Sequence, residues 1–181
     1  MMRRLYLMRH AQAESFGPHG DKDRRLSTRG RLQAREVGER LAGARIERAL
    51  VSDAERTRET FAELRLPDVD GVPVHVEFRA ELYDAGTRTM LARIAETPDE
   101  VRTLLVLGHA PTIPALAGEF TRAFDRAGAA PAHGSFPTAA IGAFDVEVPW
   151  GELADFDPYD YAGSGPDEAP EPHCPVRPST D

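Results

Sequence analysis

The sequence predicts an α/β protein, a three-layer α/β/α sandwich around a mostly parallel central sheet. Two observations lead to this fold class. Short apolar segments typical of buried strands recur along the chain, and most are followed by a segment whose apolar residues have helical spacing. Strands that alternate with helices form parallel sheets whose two faces are covered by the helices. The length of 181 residues suits one domain with its own core.

The first predicted strand and the first predicted helix flank a polar loop. Residues 5–8 are apolar throughout, as in a strand that is buried on both faces. Residues 11–29 are polar and hold two glycines and a proline, which indicates a loop. A helix is predicted from about Gly30, with Gly43 as its C-terminal stop. Its apolar stripe follows the i, i+3, i+4, i+7 spacing and comprises Ala34, Val37, Gly38 and Leu41.

A second strand is predicted at residues 46–51, directly before a second helix. Ser52 and Glu55 have the capping-box spacing, which predicts Ser52 as the N-cap of that helix. Pro67 ends the helix, and residues 74–76 are predicted to form a short strand. The apolar stripe of the helix comprises Ala54, Thr57, Phe61 and Leu64.

The second half of the chain continues the pattern of strands and helices. A helix that ends before Pro98 precedes a buried strand at residues 104–107. Thr112 is expected to cap the helix that follows this strand. Residues 125–137 are interpreted as a loop, and residues 140–148 alternate in polarity, as a strand with one less buried face does.

The acidic charge of the chain is concentrated at its C-terminal end. The formal net charge is −8 at pH 7, and residues 151–181 contribute −7 of it. The remaining 150 residues are close to neutral, so a broad nucleic-acid-binding surface is not expected. The acidic segment is also rich in proline and glycine, a composition that cannot build a packed core. We therefore predict a domain at residues 1–150 and a largely disordered tail at residues 151–181.

Neither a membrane segment nor a secretion signal is predicted. The longest uncharged run, residues 103–118, contains glycine, proline and histidine and suits a membrane span poorly. The apolar stretch after Arg3 and Arg4 is too short for a signal peptide. The single cysteine, Cys174, has no internal partner for a disulfide. A cytoplasmic protein is therefore the expectation.

Basic and imidazole side chains follow three of the predicted strands. Arg9 and His10 come directly after the first strand. Arg56 lies in the first turn of the helix after the second strand, and His109 follows the strand at 104–107. The carboxyl ends of parallel strands meet at one edge of a sheet, so these groups are expected to converge.

The arginine in a first helical turn is the most informative of these residues. Arg56 opposes the helix dipole by ~0.3–1 kcal/mol, and its position becomes favourable where that helix end binds an anion such as phosphate. The alternative for Arg56 is a solvated arginine paired with a neighbouring glutamate. The alternative for each histidine is a hydrogen-bonded residue in a loop or at a strand end.

Four blocks of sequence, in this order, resemble the histidine phosphatase (phosphoglycerate mutase-like) superfamily. The blocks are Leu-Met-Arg-His-Ala at 7–11, Ser-Asp-Ala-Glu-Arg-Thr-Arg-Glu-Thr at 52–60, Arg-Ala-Glu-Leu-Tyr at 79–83 and Leu-Gly-His-Ala-Pro at 107–111. Residues 24–34 and 136–138 are similar to the short phosphohistidine phosphatases of the SixA type, which lack larger lid insertions. The resemblance covers residues 3–149. Departures from residues frequent in the family, none of which removes a charged group, occur at Ala11, Asp53 and Ala110.

The resemblance implies a phosphoglycerate mutase-like fold and a catalytic site built on the convergent residues. His10 is implied to be the nucleophile that forms a covalent phosphohistidine. The catalytic groups implied to bind the phosphoryl oxygens are Arg9, Arg56 and His109. Glu81 matches the position of the acid that protonates the leaving oxygen, with a plain surface glutamate as the alternative and Asp84 as the reserve candidate. No cofactor and no metal ion is expected, because the sequence has no HExxH motif, cysteine pair or carboxylate pair that would bind one.

Three functions fit these residues. The first is a phosphatase acting on phosphohistidine or another phosphoprotein, since a site without a lid insertion suits a protein substrate. The second is a phosphomonoesterase that hydrolyses small metabolites on the same scaffold. The third is a catalytically silent module that binds phosphate groups and recruits a partner through the acidic tail. The expected ligand is thus a phosphorylated protein or metabolite, with neither nucleic acid nor a membrane as partner.

Overall fold

The secondary structure follows the predicted alternation of strands and helices. The structure, a computed structural model, describes residues 2–126, 136–157 and 176–179. The strands are β1 Arg3–Arg9, β2 Arg48–Ser52, β3 His75–Arg79, β4 Thr103–Gly108, β5 Ile141–Val146 and β6 Val176–Pro178. The helices are α1 Thr28–Leu41, α2 Glu55–Leu64, α3 Thr87–Ala95 and α4 Thr112–Arg126. Short 3₁₀ turns lie at Asp21–Asp23, Ala80–Leu82 and Trp150–Asp155.

The strands form a single mixed sheet in the order β3-β2-β4-β1-β5-β6. The four strands from β3 to β1 are parallel, whereas β5 pairs antiparallel with β1 and β6 pairs antiparallel with β5. The predicted α/β class with a mostly parallel sheet is confirmed. The parallel strands β1 and β4 are direct neighbours in the centre of the sheet, which determines where the site lies.

Helices cover both faces of the sheet, because alternate residues of each strand point to opposite sides. Leu5 and Leu7 of β1 pack in a core with α3, α4 and the turn at Trp150–Asp155. Tyr6 and Met8 pack in a second core with α1 and α2. The predicted three-layer sandwich is therefore confirmed. Each fully buried aliphatic or aromatic side chain contributes ~1.5–3 kcal/mol to the stability of these layers.

Ser52 does not cap α2, so the predicted capping box is wrong. The strand β2 runs one residue beyond its predicted end, and Ser52 is its last residue. Two further residues turn the chain into the helix, and the N-cap is Ala54, which has no side chain able to cap. Ser52 instead directs its hydroxyl towards His109. Thr112 begins α4, but its hydroxyl donates a hydrogen bond to the Ala85 carbonyl.

Part of the segment predicted as a disordered tail belongs to the core. Leu153, Phe156 and Val176 are buried, and the ring of Phe156 lies edge-on against Phe120 with centroids 5.0 Å apart. Packing therefore continues past the boundary predicted at residue 150. The physical reason is that a few apolar residues are enough to dock an otherwise acidic segment. Residues 158–175 and 180–181 of the predicted tail lie outside the described residues.

The loop predicted between α4 and β5 is shorter than expected at its start. The helix α4 extends to Arg126, so residues 125 and 126 are helical. The next nine residues, 127–135, lie outside the described part of the chain. In the part of the chain that the structure describes, no helix is long and apolar enough to cross a membrane.

Candidate active site

The side chains predicted to converge do lie together at the carboxyl edge of the sheet. His10 follows β1 and His109 follows β4, and these adjacent parallel strands end in register, with Arg9 opposite Gly108. The two imidazole rings consequently lie 5.2 Å apart, centroid to centroid. Arg56 enters from the first turn of α2, which follows β2 on the other side of β4.

His10 is buried and has a defined proton position. Its Nδ1 lies 2.7 Å from the carbonyl oxygen of Ala11. A carbonyl oxygen only accepts hydrogen bonds, so Nδ1 carries the proton of the neutral ring and Nε2 keeps its lone pair. The pKa of His10 is lowered to about 4, chiefly by burial and also by the positive charges of Arg56 and Arg9, while the bond to Ala11 opposes this shift. The ring is therefore neutral at pH 7.

His109 is also buried and neutral. Burial lowers its pKa to about 3, with smaller contributions from the charge of Arg56 and from His10. Its Nε2 lies 2.7 Å from the Ser52 hydroxyl. If the hydroxyl donates this bond, the ring proton is on Nδ1, which is buried and has no partner among the described residues. This arrangement leaves His109 with one hydrogen-bond donor to offer a ligand.

The two arginines add positive charge around His10. Arg56 is 5% exposed, and its Nη1 and Nη2 donate to the carbonyl and carboxylate of Asp21 at 2.7 and 2.9 Å. Arg9 Nη1 donates to the carbonyl of Phe136 at 3.2 Å. The Nε atoms of both arginines are buried without a partner in the part of the chain that the structure describes.

Buried donors without partners are costly, typically by ~1–3 kcal/mol each. At this site they come from three parts of the fold, namely Arg9 at the end of β1, Arg56 in α2 and His109 after β4. A small oxyanion bound at this edge of the sheet would supply hydrogen-bond acceptors and would offset the charge of both guanidinium groups. The arrangement therefore suits a phosphoryl group placed beside the free nitrogen of His10.

Asp21 and Tyr83 belong to the same cluster, although the sequence did not indicate them. The Tyr83 hydroxyl donates to Asp21 Oδ2, and the Tyr83 ring meets His109 edge-on at 5.3 Å. Arg24 donates to the other carboxylate oxygen of Asp21 at 2.9 Å. The bonds from Tyr83, Arg24 and Arg56 hold the pKa of Asp21 well below its usual range. Asp21 stands in a polar loop without periodicity, and only its position after the Arg-His block could have drawn attention to it.

Glu81 does not join this cluster in the structure. It is exposed on the turn Ala80–Leu82, and its carboxylate lies 3.4 Å from Arg79 Nη1 and 3.7 Å from Arg93 Nε. Asp84, the reserve candidate for the acid, is exposed as well. Across the described ranges, no three His, Cys, Asp or Glu side chains are grouped to hold a metal ion.

Known proteins are similar to this chain in sequence and in fold. The profile of the histidine phosphatase superfamily (branch 1) matches residues 5–130. The uncharacterized protein ML1117 of Mycobacterium leprae is 35% identical over 153 residues, which is 81% of this chain and 91% of that protein.

Solved structures point to one branch of that family. A structure from Nakamurella multipartitia, assigned to the phosphohistidine phosphatases SixA, is 35% identical with a TM-score of 0.71, over 87% of this chain and 92% of the other. The protein histidine phosphatase SixA complexed with tungstate is 28% identical with a TM-score of 0.62, over 79% of this chain and 88% of the other. This chain therefore belongs to the histidine phosphatase superfamily and is SixA-like within it.

Proposed function

We propose that this protein is a phosphatase that works through a covalent phosphohistidine on His10 and that its substrates are phosphohistidine or other phosphoproteins. One observation carries the proposal. The Nε2 lone pair of His10 is free, because Nδ1 is bonded to Ala11, and the ring stays neutral between two arginines. A neutral, oriented imidazole within a cationic pocket is what attack on a phosphoryl group needs.

The first chemical step transfers the phosphoryl group to His10. The Nε2 lone pair forms a bond to phosphorus, and the bond from phosphorus to the leaving oxygen or nitrogen breaks with its electron pair. The ring becomes positively charged, and the Nδ1–H bond to the Ala11 carbonyl stabilises that charge. The donors of Arg9, Arg56 and His109 stabilise the negative charge on the three equatorial oxygens.

The second step returns the enzyme to its starting state. Water attacks phosphorus and loses one proton to solvent, the P–N bond to His10 breaks, and the electron pair returns to Nε2. Inorganic phosphate leaves and His10 is again neutral. The phosphoryl charge is met by Arg9, Arg56 and His109 and the ring charge by the Ala11 carbonyl, so we propose a reaction without a metal ion.

The position of Glu81 favours substrates with an easily protonated leaving group. Its carboxylate is paired with Arg79 and Arg93, so it must leave them to reach a substrate. The imidazole released from a phosphohistidine can take its proton from water, whereas an alkoxide needs a positioned acid. The SixA names of two structural neighbours agree with phosphohistidine as substrate.

A substrate panel tests this proposal. The full chain is assayed in EDTA with a phosphohistidine protein, a phosphoserine peptide, a sugar phosphate and p-nitrophenyl phosphate, and kcat/KM is measured for each. The phosphohistidine protein is expected to give the highest value. A sugar phosphate preferred over both protein substrates would contradict the proposed substrate class, and no turnover of any substrate would contradict the enzyme.

A further inference from the structure

The carboxylate of Asp21 is bonded to Arg56, the arginine that the proposed function assigns to the phosphoryl group. Arg56 uses both of its terminal nitrogens on Asp21, one on the backbone carbonyl and one on Oδ2. The same oxygen accepts the Tyr83 hydroxyl, and Oδ1 accepts Arg24. One carboxylate thus collects donors from three residues that stand on separate parts of the chain.

This contact compensates a charge that would otherwise be costly. Arg56 is 5% exposed, and a buried guanidinium without a counter-charge is strongly unfavourable. Asp21 therefore supports the free protein. A phosphoryl group, however, requires the same guanidinium, and two anions that close to each other repel.

Asp21 is able to give way. Its side chain is 50% exposed, so the carboxylate can turn into solvent without crossing the core. The turn that carries it, Asp21–Asp23, follows Gly20, whose φ of 128° is a backbone conformation that favours glycine. No atom lies within 4 Å of the Cβ position of Gly20, so its surroundings are open. The exchange needs no covalent chemistry, since Nη2 of Arg56 trades the Oδ2 atom of Asp21 for a phosphoryl oxygen.

We propose that Asp21 is the resident counter-anion of the phosphate site: it neutralises Arg56 in the free protein, leaves when a phosphoryl group binds, and returns to displace inorganic phosphate. This inference rests on the proposed function, because it assigns Arg56 to the phosphoryl group. Its consequence concerns specificity. Competition from Asp21 weakens binding of the phosphate group alone, so a good substrate must make further contacts outside the site, as a protein can.

Direct binding of inorganic phosphate tests the competition. Titration calorimetry on the full chain compares the wild type with Asp21→Asn, which keeps the shape of the side chain and removes its charge. The variant is expected to bind phosphate about tenfold more tightly, within the range of ~5–150-fold usual for coupled sites. Asp23→Asn is the matched control, because Asp23 lies in the same turn and its side chain bonds to neither Arg56 nor Tyr83. Its affinity should equal that of the wild type.

A second background isolates the contact with Arg56. In Arg56→Gln, the gain from Asp21→Asn should fall to less than twofold, because the shared guanidinium is gone. Asp21→Ser serves as a second neutral variant, and thermal melting verifies that each variant is folded. Weaker or unchanged phosphate binding in both neutral variants overturns the inference and makes Asp21 a positioning residue or a bystander.

The proposed phosphatase activity and the proposed role of Asp21 are tested by different measurements, so one can fail without the other. A chain that binds phosphate but hydrolyses none of the substrates contradicts the proposed function alone, since the affinity ratio of Asp21→Asn to wild type still decides the role of Asp21. Binding of phosphate by the neutral variants but not by the wild type supports the proposed role of Asp21 as the counter-anion. Absence of binding in all of them overturns it.

Discussion

The hydroxyl of Ser52 lies 2.7 Å from Nε2 of His109, and both side chains are buried at the ends of neighbouring parallel strands. The Ser52 carbonyl accepts a bond from the Thr57 hydroxyl at 2.6 Å, which ties the end of β2 to α2. The bond from Thr57 therefore fixes the backbone of Ser52, and the Ser52 hydroxyl can fix the orientation of the His109 ring. A hydroxyl that donates to Nε2 leaves the ring proton on Nδ1, where a phosphoryl oxygen can accept it.

We predict that Ser52→Ala lowers kcat more than it raises KM. Without the hydroxyl, His109 can place its proton on either nitrogen, and the donor for the transition state is no longer assured. The expected loss in kcat is roughly tenfold, with ~1 kcal/mol lost from the free energy of unfolding. Steady-state kinetics and denaturant unfolding measure the two effects. Ser15→Ala, at an exposed loop serine, is the control, and equal behaviour of both variants would mean that Ser52 does not orient His109.

Removal of the nucleophile should abolish turnover. His10→Ala is expected to lower kcat/KM by roughly 10³-fold or more, the scale seen when a nucleophile is removed. Wild-type protein denatured in alkali during turnover should carry phosphate that is stable in alkali and released in acid, as a phosphoramidate is. The exposed His19 provides the control His19→Ala, which should keep full activity. Covalently bound phosphate in the denatured His10→Ala variant would mean that the intermediate forms on another residue.

The two buried histidines should resist protonation well below pH 6.5. Their pKa values of about 4 and about 3 mean that the unfolded chain takes up protons at a higher pH than the folded chain does. The free energy of unfolding contributed by these groups is therefore complete above about pH 6.5 and falls as the pH drops towards their folded-state pKa values of about 4 and about 3. Nitrogen-15 NMR should show neutral rings at pH 5, with the proton of His10 on Nδ1. A charged His10 ring at pH 6 would contradict the burial argument.

The parts of the site that could be predicted are those tied to regular elements. His10 and His109 follow apolar strands, and parallel neighbours bring strand ends together, so their convergence follows from the chain pattern. Ser52 was given the wrong role because its spacing to Glu55 imitates a capping box, while strand pairing carried β2 one residue further. Asp21 could not be predicted, because its contact with Arg56 depends on how a loop without periodicity folds back over the sheet edge.

The domain continues past the boundary predicted at residue 150. The composition of residues 151–181, taken as a whole, is acidic and hides the buried apolar residues Leu153 and Phe156. Trp150 is fully buried and its indole nitrogen donates to the Val101 carbonyl at 2.8 Å. Trp150→Ala is expected to cost ~3–5 kcal/mol of the free energy of unfolding, as truncation of large core side chains does. Glu152→Ala, at an exposed position in the same turn, should cost less than ~0.5 kcal/mol. Denaturant unfolding compares the two, and equal small losses would show that residues 150–157 are dispensable for the core.

The role of Glu81 depends on the leaving group of the substrate. If Glu81 is the acid, Glu81→Gln should slow hydrolysis of alkyl phosphates by roughly 10²-fold or more, because an alkoxide must be protonated as it leaves. Nitrophenolate leaves without a proton, and imidazole takes one from water, so p-nitrophenyl phosphate and phosphohistidine protein should be affected far less.

A matched variant separates acid catalysis from the loss of an ion pair. Glu96 also pairs with Arg79 and Arg93, yet it lies at the end of α3 rather than in the block that resembles the family's acid. Glu96→Gln should therefore leave all three reactions unchanged, while Glu81→Gln changes their order. Equal losses for Glu81→Gln on every substrate would assign Glu81 to structure or binding, and Asp84→Asn would be the next variant to test. An unchanged profile would make Glu81 a surface residue, held by its arginines and without a part in the chemistry.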